Sequence, residues 1–176
     1  APVSNPDGVT GVNLFVQLDE NITHQDQING VSGLLAIKRV WFGTAAERAD
    51  PNNATLLAAK RLAFHYGPFV HDRSDFPGSS GVSNGRPSME FFVSLGAQGY
   101  AMDPVTNHSV GTRSQQAATF MHELGHNLGL AHGGGDEINC EPNYLSIMSY
   151  SFQFPNYVSN RPLDYSRSVL DRLDEE

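Results

Sequence analysis

The sequence predicts an α+β domain, and three observations predict it. At 176 residues the chain is long enough to bury one sizeable core and reads as a single domain over 1–176. Its first two thirds carry short β-rich runs interspersed with helical segments. Its last third turns to loops, prolines and aromatics with one closing helix, an order that fits α+β.

Residues 12–18, Val-Asn-Leu-Phe-Val-Gln-Leu, form the first predicted strand. Residues 34–42 are apolar and compatible with strand or helix, because short apolar runs do not discriminate. Asp50-Pro51-Asn52-Asn53 reads as a turn and cap, predicting a helix over 54–63. A strand is predicted over 64–71, then a long surface loop rich in Gly, Ser, Pro and Asp over 72–87. Another strand follows over 89–95, a loop over 96–112, and a helix from about 114 to 128. Beyond Gly133 the chain is irregular until Arg161-Pro162-Leu163-Asp164, which leads into a final helix ending near Leu173 with Asp164 as its cap.

Composition excludes some functions. Acidic residues outnumber basic ones by 19 to 11, which argues against a nucleic-acid partner. No apolar run reaches the ~18 residues of a membrane span. Ala1-Pro2-Val3-Ser4 reads as a mature start, so the expectation is a secreted, monomeric protein whose signal and pro-segment are absent from this chain. Cys140 is the only cysteine, which rules out an internal disulfide and reads most simply as a small inert thiol. Asn-x-Ser/Thr sequons stand at Asn21, Asn53 and Asn107.

The chemistry concentrates in residues 122–132, His-Glu-Leu-Gly-His-Asn-Leu-Gly-Leu-Ala-His. His122 and His126, four residues apart, share one face of a helix. Two imidazoles stacked in this way can bind one zinc ion, with Glu123 beside them to handle a proton from zinc-bound water. Gly129 suits a left-handed helix end, after which a sharp turn brings His132 round as a third ligand. Three nitrogens leave the fourth position of a tetrahedral ion open, the catalytic arrangement. The rival reading, an amphipathic core helix carrying surface histidines, explains neither the third histidine nor the glycine before it.

The stretch resembles the metzincin signature H-E-x-x-H-x-x-G-x-x-H, and Ser146-Ile147-Met148-Ser149-Tyr150 resembles the Met-turn that follows it. The resemblance is strong over residues 116–150 and weaker from Arg161 onward. It implies a two-lobed catalytic domain, with lobes of about 1–132 and 133–176 and a cleft between them. It also implies an apolar floor under the zinc from Met148. In astacin-like and serralysin-like branches the tyrosine two residues after the methionine reaches the zinc as a mobile extra ligand, and Tyr150 holds that position. The chain departs from those branches at Gly133, where they usually carry another residue, and it has no Gly/Asp nonapeptide repeats, so the branch stays open. His71 with Asp72 and Asp75 loosely resembles a loop that holds structural calcium or a second zinc in matrixin-like chains, although a solvated turn is the simpler reading. The Gly-Asp segment around Asp136 lacks the alternating carboxylates of an EF-hand loop.

The expected function is therefore a zinc-dependent endopeptidase. His122, His126 and His132 hold Zn²⁺, Glu123 is the general base and then acid, and Tyr150 donates to the developing oxyanion. A protein or peptide substrate would lie extended along a strand, residues 89–95 being the candidate. Two alternatives are a zinc-containing binding or adhesion module without turnover, against which Glu123 speaks, and a hydrolase of non-peptide amides on the same site.

Overall fold

The computed structural model describes residue 16 and residues 27–97, 99–139, 141–155 and 161–166. The strand expected over 12–18 (apart from Val16), the Asn21 sequon, His24, Cys140 and the helix expected to end near Leu173 lie outside them. Among the described residues the fold is mixed, with five α-helices and two small sheets.

Strand β1 (Gln27–Ile28) precedes helix α1 (Gly30–Trp41). Of residues 34–42, where the sequence allows either state, 34–41 are therefore helical and Phe42 is the extended C-cap. Leu34, Ile37 and Lys38 recur at helical spacing and turn one face inward. Helices α2 (Ala45–Ala49) and α3 (Ala54–Ala63) follow, the second entered through Asp50, whose side chain accepts from Asn52 N at 2.9 Å. The strand expected over 64–71 shrinks to β2 (Phe69–Val70) plus one bridge at Tyr66, because Pro68 lacks the N–H that a ladder needs. The loop expected over 72–87 instead holds β3 (Asp72–Arg73) and β4 (Gly81–Ser83). Strand β5 (Phe91–Ser94) falls within the expected 89–95.

β1 and β3 pair in parallel, and the second sheet has the order β2-β5-β4, with β4 antiparallel to β5. All four residues of β5 are buried, as a strand covered on both faces requires. Alternation sends Phe92 to one face, where it packs with Ile28 and Leu34, and Phe91 to the other, edge-on to Phe120 at 5.0 Å. Phe120 belongs to helix α4 (Arg113–Asn127), so α1 and α4 sandwich the sheet. Burying each of these rings contributes about 2–3 kcal/mol. Lys38 reaches Glu90 at 2.6 Å with both side chains largely buried.

The opposite side of α4 belongs to a second core, built from Ala118, Ile147 and Met148 with Met121, Leu130, Tyr144, Phe154, Leu163 and Tyr165 around them. Thus α4 is shared between the sheet and the irregular C-terminal segment. That segment contains one short helix with no counterpart in the sequence reading, α5 (Tyr150–Gln153). Asp164 lies in a non-helical stretch, its carbonyl accepting from Ile147 N at 2.9 Å. No described helix is long and apolar enough to cross a membrane.

Candidate metal centre

The helix that carries the first two histidines is fixed at both ends. Thr112 and Gln115 form a reciprocal capping box, with Gln115 N donating to Thr112 Oγ1 at 3.1 Å and Thr112 N to Gln115 Oε1 at 2.8 Å. At the other end Gly129 adopts φ +97°, Gly129 N donates to His126 O, and Leu130 N donates to Gly125 O. This is a Schellman ending, for which a left-handed glycine is the low-cost residue. It throws the chain back on itself, so that the Leu130 carbonyl meets His126. Paired hydrogen bonds between Ala131 and Gly134, 2.8 and 2.9 Å, then close a tight reversal with His132 at its tip.

The three expected ligands converge. One ring nitrogen from each of His122, His126 and His132 lies within 4.8 Å of the others. His122 Nδ1 faces the Ile147 carbonyl at 3.0 Å, and His126 Nδ1 faces the Leu130 carbonyl at 2.9 Å. A carbonyl oxygen can only accept, so both Nδ1 atoms carry hydrogen and both Nε2 atoms present lone pairs. Those two Nε2 atoms are 3.1 Å apart. Two lone pairs that close repel unless they share a cation or proton. For nitrogens at ~2.05 Å from a tetrahedral zinc the expected separation is about 3.4 Å, near what is seen. His132 Nδ1 faces Glu137 Oε2 at 3.1 Å, which turns its Nε2 inward, where that atom is buried with no hydrogen-bond partner. The donor set, its tautomers and this orphaned nitrogen all fit a bound metal ion. Burial pushes the His122 pKa down to about 4, and burial also lowers that of His126. Both therefore favour the neutral, ligating form.

Met148 is wholly buried beneath α4. Tyr150 opens α5, its ring lying 4.4 Å from that of His132 and 5.6 Å from that of His122. Burial, then the Glu123 and Glu137 charges, raise its pKa, which keeps the phenol protonated and able to donate. Glu123 is 5 % exposed and lies between α4 and β4; a Cβ on Gly81 would stand 2.9 Å from its Oε1. Burial pushes its carboxyl up to about 8, against the opposing influence of Arg73 and the Ser83 backbone.

One sequence expectation needs correction. Residues 89–95 cannot receive a peptide strand, because β5 is the middle strand with both edges occupied; strand addition requires an edge such as β4. In the loop that loosely resembles a second-metal site, the side chains have other partners. Asp75 is committed to Arg73 at 2.6 and 2.8 Å, Asp72 accepts from the Arg73 backbone, and the His71 ring packs edge-on to His108. Among the described residues the three-histidine group is the only cluster of metal-binding type. Asp136, in the segment considered for calcium, accepts from Ile138 N and forms a turn.

Four contributors escaped sequence reasoning. The carbonyls of Ile147 and Leu130 carry no side-chain signal. Glu137 was visible as an acid just after the third histidine. Asn127, 2 % exposed, sends its amide nitrogen to Ser83 Oγ and Ser88 Oγ at 2.6 Å and accepts from His65 Nδ1 at 3.2 Å, tying the end of α4 to the β4–β5 hairpin. Comparison with protein-family models, curated proteins and solved structures finds no match to this chain. The functional reading therefore stands on the residues themselves.

Proposed function

We propose that this chain is a secreted zinc-dependent endopeptidase on the two-lobed metzincin plan. The observation that carries the reading is the pair of Nε2 lone pairs, from His122 and His126, held face to face with His132 closing the group. Three nitrogens, with no fourth residue in the cluster among the described residues, match the donor set of a catalytic rather than a structural zinc.

A zinc ion held there would supply Lewis-acid polarisation of a carbonyl and activation of water. The rest is done by the chain. Ile147 and Leu130 fix the two helical ligands in the ligating tautomer through their carbonyls. Glu123, one residue beyond His122, takes a proton from the attacking water and returns it to the leaving amine. The ionised form that this task needs is favoured by a dication beside it. Tyr150, protonated, stacked on His122 and tilted against His132, donates to the oxygen that gains charge. Glu123 lies against Gly81 of β4, an edge strand along which an extended peptide would pair, which supports a peptide as the substrate.

Incubating the zinc-loaded protein with casein and counting new amino termini by mass spectrometry tests this. Termini that accumulate with time are expected. Bound zinc with no new termini would instead favour a binding module.

A further inference from the structure

His132 is supported differently from the other two ligands. It stands at the tip of a two-residue reversal rather than on a helix, and its Nδ1 meets a side chain, Glu137 Oε2 at 3.1 Å, where His122 and His126 meet backbone carbonyls. Backbone acceptors are positioned by the fold. A glutamate whose side chain is 62 % exposed has several rotamers and needs holding. Arg86 provides that hold, with its Nη1 donating to Glu137 Oε1, the oxygen that His132 does not use. Arg86 sits in the turn between β4 and β5, 51 residues before Glu137. The same hairpin grips the end of α4 through Ser83, Ser88 and Asn127.

We propose that Glu137 is a positioning residue for His132 and that Arg86 extends the support to the β4–β5 hairpin, so that residues never touching the ion set part of its affinity. The inference rests on the metal site proposed above. The carboxylate fixes hydrogen on Nδ1, leaves the Nε2 lone pair free and stops rotation of the ring. Arg86 removes the rotamer freedom that Glu137 would otherwise lose only on metal binding. The hairpin thereby holds both the end of the helix bearing two ligands and the loop bearing the third.

Competition with a chromophoric chelator gives the zinc affinity of the parent, Glu137→Ala, Glu137→Gln and Arg86→Ala chains. Removing a partner of a metal-bound histidine typically costs 10–100-fold in affinity, so Glu137→Ala should weaken zinc by roughly that factor. Glu137→Gln and Arg86→Ala should both fall between the parent and Glu137→Ala, about 3–10-fold weaker than the parent: the glutamine oxygen still accepts from Nδ1 but its NH2 cannot accept from Arg86, and in Arg86→Ala the carboxylate remains but is free to move. Thermal unfolding of the zinc-free chains should be unchanged, which separates positioning from folding. Glu137→Ala within twofold of the parent, or Gln as damaging as Ala, would overturn the role of Glu137. Arg86→Ala equal to the parent would overturn the extension to the hairpin. A parent that takes up no zinc would overturn the proposed function and this inference together, whereas zinc bound equally by all four chains would overturn this inference alone.

Discussion

Gly125 lies so close to Met148 that no side chain fits between them. A Cβ on Gly125 would overlap the Met148 sulfur and stand 3.0 Å from the Tyr165 ring. Glycine inside a helix costs about 1 kcal/mol relative to alanine, so this position gives up helix stability for a close approach. The approach matters because Ile147, the neighbour of Met148, accepts from His122 Nδ1. The depth of the methionine under the helix thus sets where the carbonyl partner of His122 lies. Tyr165 secures the same contact from outside by donating to Met121 O at 2.6 Å.

Gly125→Ala should therefore destabilise the fold by about 1–3 kcal/mol, the usual cost of overpacking, despite alanine's better helix propensity. In a Met148→Ala background the cost should fall by more than half, because the atom that clashes is gone. Urea unfolding of the four chains measures the coupling. Equal costs in both backgrounds would show that the contact is not what requires the glycine.

Glu123→Ala should keep the fold and the zinc while kcat drops by about 10²–10⁴-fold, the range for a positioned general base. Burying an alanine here also removes a carboxyl held between α4 and β4 without a strong cationic partner, so no large loss of stability is expected. Steady-state kinetics on a fluorogenic peptide, with metal analysis of the same sample, checks both halves.

Tyr150→Phe isolates the phenol. Its ring contacts with His122 and His132 remain, and only the donor is lost. A half-exposed donor sharing its task with a metal should contribute about 1–3 kcal/mol to the transition state. The loss should appear in kcat with KM nearly unchanged. A rise in KM alone would mark Tyr150 as a substrate contact instead.

The Lys38–Glu90 pair should make stability pH-dependent. Burial raises the Glu90 pKa, but hydrogen bonds from Lys38 and Asn84 outweigh it and hold the carboxyl below its ordinary value of 4.5. A depressed pKa contributes stability that is present above the unfolded value and lost as pH falls through the folded one. Glu90→Gln, which strands Lys38, should therefore cost about 2–3 kcal/mol at pH 7. The difference between the two chains should shrink steadily below pH 4.5. Chemical denaturation at several pH values would show it, and a pH-independent difference would contradict the ion-pair account.

How far the sequence spoke depends on where the determinants lie. The histidine helix was legible because its spacing and its Gly129 ending point the same way, whereas its Thr112–Gln115 cap emerged only in the structure. The helix at Ala54–Ala63 was legible from its turn and cap. Strand β4 was not, because Gly-Val-Ser carries no alternation; it exists through pairing with β5. That omission explains the misplaced substrate strand, since β5 reads as open until β4 and β2 are found on either side of it. The ligand partners show the same division: Glu137 is a side chain and could have been suspected, whereas the Ile147 and Leu130 carbonyls become partners only once the chain has turned.

The most direct test of a metal-dependent peptidase is a zinc titration of the chelator-stripped protein, following peptide cleavage. Activity should be absent at the start, rise in proportion to added zinc and saturate at about one ion per chain, as three histidine ligands around one ion require. Full cleavage by the verified metal-free chain, or saturation with zinc and no cleavage at all, would contradict the account.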